Sequence, residues 1–373
     1  MSNTEIYKKL ADWLKGSWYG LPDSEHLISV LEATYTPQEA EFLTGMPFSP
    51  KKLDDLAAVK GIEKGKLGRE LDKLAKKGLV YREKRGEEVF YRLNDAFFVF
   101  LRSSFWPGYE DDRSKEIAPP VNRYMADSLF KRYEHVHVRG LRAVPINGTV
   151  DEHHTVMPYE DVVKLVDGFN YYSVSYCACR QRKKLDPDSP TCKLPMENCL
   201  HFDNLGRYIV ENGLGREITK EETLKILTEA AESGLVHGAS NWREQVDTIC
   251  NCCKCCCMWL ESYHVFKHKE AHTPSNYRLK THAETCKGCG LCVKRCPMEA
   301  LELEETPEAK NKVGKVSVLS KPDLCLGCGV CAYKCPTKSL KLVERETIHE
   351  PPKDARECTK LFYIQSGAGN KPK

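Results

Sequence analysis

Nineteen cysteines stand in this chain of 373 residues, and their placement is uneven. Residues 1–176 contain none, eighteen fall between Cys177 and Cys335, and Cys358 stands alone. Eight of the eighteen repeat one pattern. Residues 286–297 read Cys286-Lys-Gly-Cys289-Gly-Leu-Cys292-Val-Lys-Arg-Cys296-Pro297, and residues 325–336 read Cys325-Leu-Gly-Cys328-Gly-Val-Cys331-Ala-Tyr-Lys-Cys335-Pro336. Three thiolates on such a short loop can each reach a different iron of one cubane. Gly288, Gly290, Gly327 and Gly329 let the backbone bend closely around it and point amides at sulfur. A pair of zinc ribbons would need only C-x2-C pairs, so the extra cysteines and both Cys-Pro ends would go unexplained. The pattern therefore predicts two [4Fe-4S] clusters.

Residues 281–345 resemble a bacterial two-cluster ferredoxin. In that spacing the fourth cysteine of each run serves the other cluster. The resemblance thus implies one cluster on Cys286, Cys289, Cys292 and Cys335, and a second on Cys325, Cys328, Cys331 and Cys296. Leu301-Glu-Leu303 and Leu340-Lys-Leu342 alternate as short strands do. A charged insert, roughly Glu304 to Lys315, departs from the resemblance. It is expected to form a surface loop or hairpin clear of the ligands.

Ten further cysteines lie upstream in two groups. Cys177, Cys179, Cys192 and Cys199 follow Tyr172-Ser-Val-Ser-Tyr176, which reads as a strand whose end can present ligands. Arg180, Arg182, Lys183 and Lys184 would offset the charge of thiolate-bound metal, or else form a solvated basic loop. The second group is Cys250, Cys252, Cys253, Cys255, Cys256 and Cys257. Buried free cysteines occur as small apolar residues, but rarely at such density. In a helix, Cys253, Cys256 and Cys257 would share a face; in a loop, nearly all six could converge. Ten thiols suffice for one or two further iron–sulfur clusters, and a zinc site built from the first group alone is an alternative. Adjacent cysteines resemble the cysteine-rich subunit of heterodisulfide reductases, but the Cys-Cys-Gly signature is missing. His201 and His237 could be ligands or proton carriers, although ordinary core or surface histidines are commoner.

The elements that must position these residues are partly readable. Thr219-Lys-Glu-Glu222 is a capping box before Leu224, Leu227, Ala230 and Ala231, and Gly234 can close that helix. A second helix is expected over Asn198 to Asn212. Upstream, Thr36-Pro37-Gln38-Glu39 starts a helix and Ser49-Pro50 another, carrying Leu53, Leu56 and Ala57. Leu67, Leu71, Leu74 and Ala75 mark a third. Leu79-Val-Tyr81 and Val89-Phe-Tyr91 flank a turn at Arg85-Gly86. This order resembles a winged helix over residues 36–93. Residues 51–85 hold 12 basic and 6 acidic residues. Glu63, Glu70 and Asp72 share the would-be recognition helix with Lys64, Lys66, Arg69, Lys73 and Lys76, so phosphate contact is disfavoured and docking or structural use is expected. Phe97, Phe98, Phe100, Phe105 and Trp106 suggest aromatic packing. His153 and His154 read as exposed, and Pro158 as the start of a helix with Val162, Val163, Leu165 and Val166.

The expected fold class is α+β and multidomain: a winged-helix-like domain (1–95), a mixed cysteine-rich central domain (96–275), a ferredoxin-like domain (276–345) and a tail (346–373). The whole order resembles a group of iron–sulfur binding proteins from anaerobic bacteria and archaea. Lys+Arg is 56 against 53 Asp+Glu, so there is no global case for nucleic acid. A long chain with clustered cysteines and no basic, apolar leader argues against a disulfide scaffold and for a reducing cytoplasm. No apolar run approaches the roughly 20 residues that span a bilayer. No GxGxxG or GxxxxGK[ST] follows a strand, so a flavoprotein or another iron–sulfur subunit is the expected redox partner. The leading reading is one-electron relay, with no catalytic residue assigned. The alternatives are an oxidoreductase with a catalytic cysteine-rich site and a redox-sensing DNA-binding regulator.

Overall fold

In the computed structural model, all residues are described except 1, 18–19, 130–135, 155, 268–271 and 367–373. Helices and antiparallel sheets are mixed along the chain, an α+β arrangement. The N-terminal region carries α1 (Asn3–Leu14), α2 (Leu27–Thr34), α3 (Pro37–Leu43), β1 (Lys51–Lys52), α4 (Leu53–Lys60), α5 (Lys64–Lys76), β2 (Val80–Arg85) and β3 (Glu88–Leu93). Helix α3 starts on the capping box read from the sequence, with Thr36 and Glu39 each bonding the other's backbone. The chain does not turn helical at Ser49-Pro50. It first adds β1 beside β3, so α4 begins at Leu53.

Hairpin β2–β3 turns at Gly86, whose φ is +62°. Leu67, Leu71, Leu74 and Ala75 all lie buried on one side of α5. Tyr81 of β2 stacks on Tyr208 with ring centroids 4.2 Å apart, and the Tyr208 hydroxyl donates to the Val80 carbonyl at 3.1 Å. The N-terminal core therefore continues without a break into the central region. Phe100, Phe105 and Trp106 are buried there, and α6 (Asp112–Tyr124) packs against α2.

The central region is built on one antiparallel six-stranded sheet of order β4-β8-β9-β6-β5-β7. Its strands are β4 (Leu141–Val144), β5 (Tyr172–Tyr176), β6 (Glu197–Phe202), β7 (Arg216–Glu217), β8 (Val236–Ser240) and β9 (Thr248–Cys252). Helices α7 (Val162–Asp167), α8 (Ala178–Leu185), α9 (Asp203–Glu211) and α10 (Lys220–Glu232) connect them. The expected helix over 198–212 is corrected here. Asn198 to Phe202 belong to a strand, and the helix begins only at Asp203. The segment Asn-Cys-Leu-His-Phe alternates between two buried layers, which a strand satisfies and an amphipathic helix does not. Leu200 and Ile249 pair across β6 and β9 and pack into an apolar layer with Val174 and Phe202, which sends their neighbours Cys199 and Cys250 to the other face.

Helix α11 (Met258–His264) leads to the C-terminal lobe. There β10 (Tyr277–Thr281) pairs with β13 (Leu340–Glu344), and β11 (Leu301–Glu305) pairs with β12 (Lys315–Leu319). The short helices α12 (Leu291–Arg295) and α13 (Val330–Tyr333) follow the ligand loops. The insert is indeed a hairpin, β11–β12, but it does not stand clear of the ligand loop. Asn311 Nδ2 donates to the Cys286 carbonyl at 2.8 Å, and Cys292 Sγ lies 3.2 Å from Ser317 Oγ. A compact cluster site leaves its loop's carbonyls in need of donors, and the hairpin supplies one. Helix α14 (Ala355–Gln365) lies in the expected tail, and residues 367–373 lie outside the described residues. Among the described residues no helix is long and apolar enough to cross a membrane.

Candidate metal centres

The C-terminal cysteines line two small cavities. One is bounded by Cys286, Cys289, Cys292 and Cys335, the other by Cys296, Cys325, Cys328 and Cys331, and each is about 20 Å³. The fourth cysteine of each run thus joins the opposite three. The glycines are needed for close approach. At Gly288 (φ +65°) an added Cβ would sit 2.7 Å from the Lys315 carbonyl oxygen, and at Gly327 (φ +64°) it would run into the Tyr277 carbonyl. Burial pushes the Cys328 thiol up to about 12, so a bare thiol there stays protonated until a cation compensates its charge. Such a soft, anionic donor set around a glycine-lined hollow fits a cubane.

Residues 285–339 match the family of 4Fe-4S dicluster domains. This C-terminal region is therefore a ferredoxin-type iron–sulfur domain. The comparisons of the chain with curated proteins and with solved structures returned no match. The dicluster domain is hydrogen-bonded to the segment after β4 and to the end of α11. Ile146 N donates to the Cys328 carbonyl at 3.1 Å, and His264 Nε2 lies 2.6 Å from the Pro297 carbonyl.

The ten central cysteines sort differently from the two sequence groups. The run 250–257 is neither one helix nor one loop. Cys250 and Cys252 lie on β9, Cys253 to Cys256 form a turn closed by the Cys257 N–H donating to the Cys253 carbonyl at 3.1 Å, and Cys257 caps α11. Alternation along β9 puts Cys250 and Cys252 on the same face. Cys199 on neighbouring β6 joins them, with Cys257 and, from the start of α8, Cys177 and Cys179. These six line one cavity of about 60 Å³, together with Asn198, Arg180, Asn251 and His201. Cys192, Cys253, Cys255 and Cys256 gather elsewhere, all four sulfurs within 4.8 Å of one another. A zinc site from Cys177, Cys179, Cys192 and Cys199 is thereby corrected: the loop after α8 carries Cys192 away from the other three.

The alternative of a solvated basic loop after Cys179 is not what forms, because these residues make helix α8. Arg180 and Arg182 are each only 1% exposed. Arg180 donates to the Asn251 carbonyl at 3.0 Å and to the Asn198 side chain. Burial works against its charge, but the neighbouring thiols of Cys177 and Cys253 outweigh burial and hold the guanidinium charged. Lys183 and Arg182 pair with Glu261 of α11 at 2.7 and 3.8 Å, which fixes α8 against α11 and hence Cys179 against Cys257. Burial also opposes ionisation of Cys257, yet contacts from Cys179 and Cys252 bring its thiol down to about 6.

His201 lies in the six-cysteine cavity, 2.9 Å from Ser175 Oγ, and burial pushes it down to about 3, so the ring is neutral. His237 is a core histidine held at 2.7 Å by Asn251 Oδ1. His153 is exposed, and His154 is 3.8 Å from Glu344. Sequence reasoning missed His272. Its Nε2 lies 3.9 Å from Cys257 Sγ, and it forms a close group with Cys252 and Cys257. No spacing could have announced it, since only the sheet brings it there. Three buried nitrogens, Arg180 Nε, Asn198 Nδ2 and His201 Nδ1, have no hydrogen-bond partner within the protein. They belong to residues lining the six-cysteine cavity, and sulfide acceptors of a cluster would satisfy such donors. The donor set fits iron–sulfur ligation.

A larger cavity, about 700 Å³, adjoins this one. Phe97, Arg102, Met258 and Trp259 line both. Asp95 and Asp247 also face the larger cavity, and desolvation raises both carboxyls.

Proposed function

We propose that this protein is an iron–sulfur electron-transfer protein working with a redox partner, with two clusters in the dicluster domain and a further iron–sulfur centre in the six-cysteine cavity. In that role Cys286, Cys289, Cys292 and Cys335 would hold one cluster, Cys296, Cys325, Cys328 and Cys331 the second, and Cys177, Cys179, Cys199, Cys250, Cys252 and Cys257 the central centre. The clusters would supply one-electron chemistry. The observation that carries the reading is a single buried cluster of side chains. It contains Cys252 and Cys257 of the central cavity together with Cys292, Cys296 and Cys328 of the dicluster domain. Helix α11 spans the gap, with Cys257 at its start and His264 against Pro297 at its end. Seven residues make it only about 10 Å long. Six thiols line the central cavity against four in each dicluster cavity, which is donor enough for a further cluster.

The polypeptide sets the direction of access. Cys289 is exposed, and Leu291 and Val313 stand exposed near it, so a protein partner can approach there. The Cys328 side is covered by Ile146 and Thr149. A flavoprotein or another iron–sulfur subunit fits that requirement. Residues 1–95 serve in this reading as a winged-helix-like docking module, followed by a central domain to 275 and the ferredoxin domain to 345. Arg82 of β2 is spent on Asp72 at 3.1 Å and Glu211 at 3.0 Å, which favours packing over DNA contact. A reducing cytoplasm suits so many free thiols.

The cavity of about 700 Å³ favours a second reading, an oxidoreductase in which the six-cysteine centre meets a small substrate. Anaerobic iron and sulfide analysis with EPR during a redox titration tests the first reading. It expects more iron than the roughly eight atoms that two cubanes hold, and magnetic coupling between centres. Iron for two cubanes alone would sink it. Turnover of a small substrate with an artificial donor, abolished by Cys252→Ser with both dicluster signals intact, would favour the second.

A further inference from the structure

Four of the central thiols stand together within reach of a single ion. Cys255 Sγ lies 3.5 Å from Cys192 Sγ and 3.7 Å from Cys256 Sγ, and all four sulfurs of the Cys192, Cys253, Cys255 and Cys256 group fall within 4.8 Å of one another. Four thiolates on one tetrahedral ion must stand about this close, because a zinc–sulfur bond of about 2.3 Å gives a tetrahedron edge of about 3.8 Å. A cubane presents a separate iron to each thiolate, so its four ligand sulfurs surround the whole cluster and stand farther apart. The same chain supplies the reference. The two dicluster sets enclose hollows of about 20 Å³, and neither forms a group within 4.8 Å among the described residues.

The donor chemistry agrees. Four thiols and no carboxylate make a soft, closed set, with every tetrahedral position taken by protein. The surroundings fit a structural ion. Cys253 and Cys256 are buried against Ala230 and Leu235, with Leu194 packed beside them. Four thiolates around a dication carry a net charge of about −2, and buried Arg180, in contact with Cys253, is placed to offset it. Cys192 comes from the loop between α8 and β6, which has no helix or strand of its own. The other three come from the turn that ends β9.

We infer that Cys192, Cys253, Cys255 and Cys256 bind one zinc ion, which clamps the loop before β6 to the turn after β9. The clamp holds the two segments that present Cys199, Cys250, Cys252 and Cys257 to the neighbouring cavity. The ion is redox-inert and takes no part in electron transfer. The assignment goes beyond the electron-transfer reading and does not depend on it.

The test uses the full chain purified without air. Metal analysis should find one zinc per chain in addition to iron, and X-ray absorption at the zinc edge should show four sulfur neighbours at about 2.3 Å. Cys255→Ser, at an exposed position, should lower zinc occupancy at least tenfold while the EPR signals of the dicluster domain persist. Cobalt exchanged into the site should give intense thiolate-to-metal charge-transfer bands that the variant lacks. Absence of zinc, zinc with nitrogen or oxygen neighbours, or loss of a cubane's worth of iron and sulfide in Cys255→Ser would overturn the proposal. So would a mononuclear iron in these four thiolates. If Cys255→Ser fails to fold, the zinc-edge spectrum of the unaltered chain decides alone. Failure here leaves the EPR count of clusters untouched, so the two readings fall separately.

Discussion

The dicluster domain and the central region both hold thiolates, but they assemble them in opposite ways. In the dicluster domain three of every four ligands come from one short loop, and glycines let that loop close on itself. In the central region six thiols come from four places: the start of α8, β6, β9 and the cap of α11. The first design writes its site into local sequence. The second lets a sheet sort its thiols by face, so adjacent cysteines such as Cys252 and Cys253 end in different sites. The density of cysteines is therefore a poor guide to the number of centres, and the alternation of a strand is a better one.

The comparison breaks most sharply at Cys252, which faces the central cavity. Cys252→Ser is expected to remove the central iron while leaving both dicluster clusters assembled, read as iron and sulfide per chain and as EPR. Retention of all iron would place Cys252 outside the ligand set. In the dicluster domain, Cys289→Ser should damage one cluster and Cys296→Ser the other, despite their common run. If both variants lose the same EPR signal, the crossed assignment is wrong.

Next comes the far face of the sheet. Leu200 is fully buried beneath Cys199. Leu200→Ala is expected to cost about 2–5 kcal/mol, seen as a lower unfolding midpoint. If the central site depends on the sheet and the dicluster site does not, central iron is lost at a lower denaturant concentration than dicluster iron. Simultaneous loss would mean that the shared core makes them one cooperative unit.

A smaller effect is expected at the hairpin. Asn311→Ala removes the donor to the Cys286 carbonyl and should cost about 1 kcal/mol, with faster loss of the cluster nearest Cys289 in air and no change at the other. Equal rates would show that the hairpin is only decoration. The smallest effect serves to separate fold from ligation. Burial opposes the charge of Glu39, but its bond from Lys77 and its capping bond at Thr36 outweigh that and hold it below the usual carboxylate range. A lowered carboxyl contributes stability above its unfolded pKa and loses it as pH falls through the folded value. Lys77→Met should therefore cost about 0.5–1 kcal/mol at neutral pH, the exposed lysine leaving the pair screened. The cost should fade below about pH 4. A cost unchanged at low pH would show that the pair carries none of it.

The sequence by itself determined what depends on neighbours along the chain. Two cubane loops, the glycines that shape them, the capping box at Thr36, the apolar stripe of α5 and the hairpin at Gly86 all follow from spacing within a dozen residues, where covalent geometry leaves few choices. The tertiary structure alone decided how ten central thiols divide. Cys192 and Cys199 are near in sequence but are parted by a loop and a strand, whereas Cys199 meets Cys250 because Leu200 and Ile249 pair across β6 and β9 and bury their side chains in the opposite layer. Arg102 reaches the six-cysteine cavity, and His272 reaches Cys257, from segments with no periodic link to it. Register is a property of two strands together, fixed by which face is buried, and no single segment carries that information.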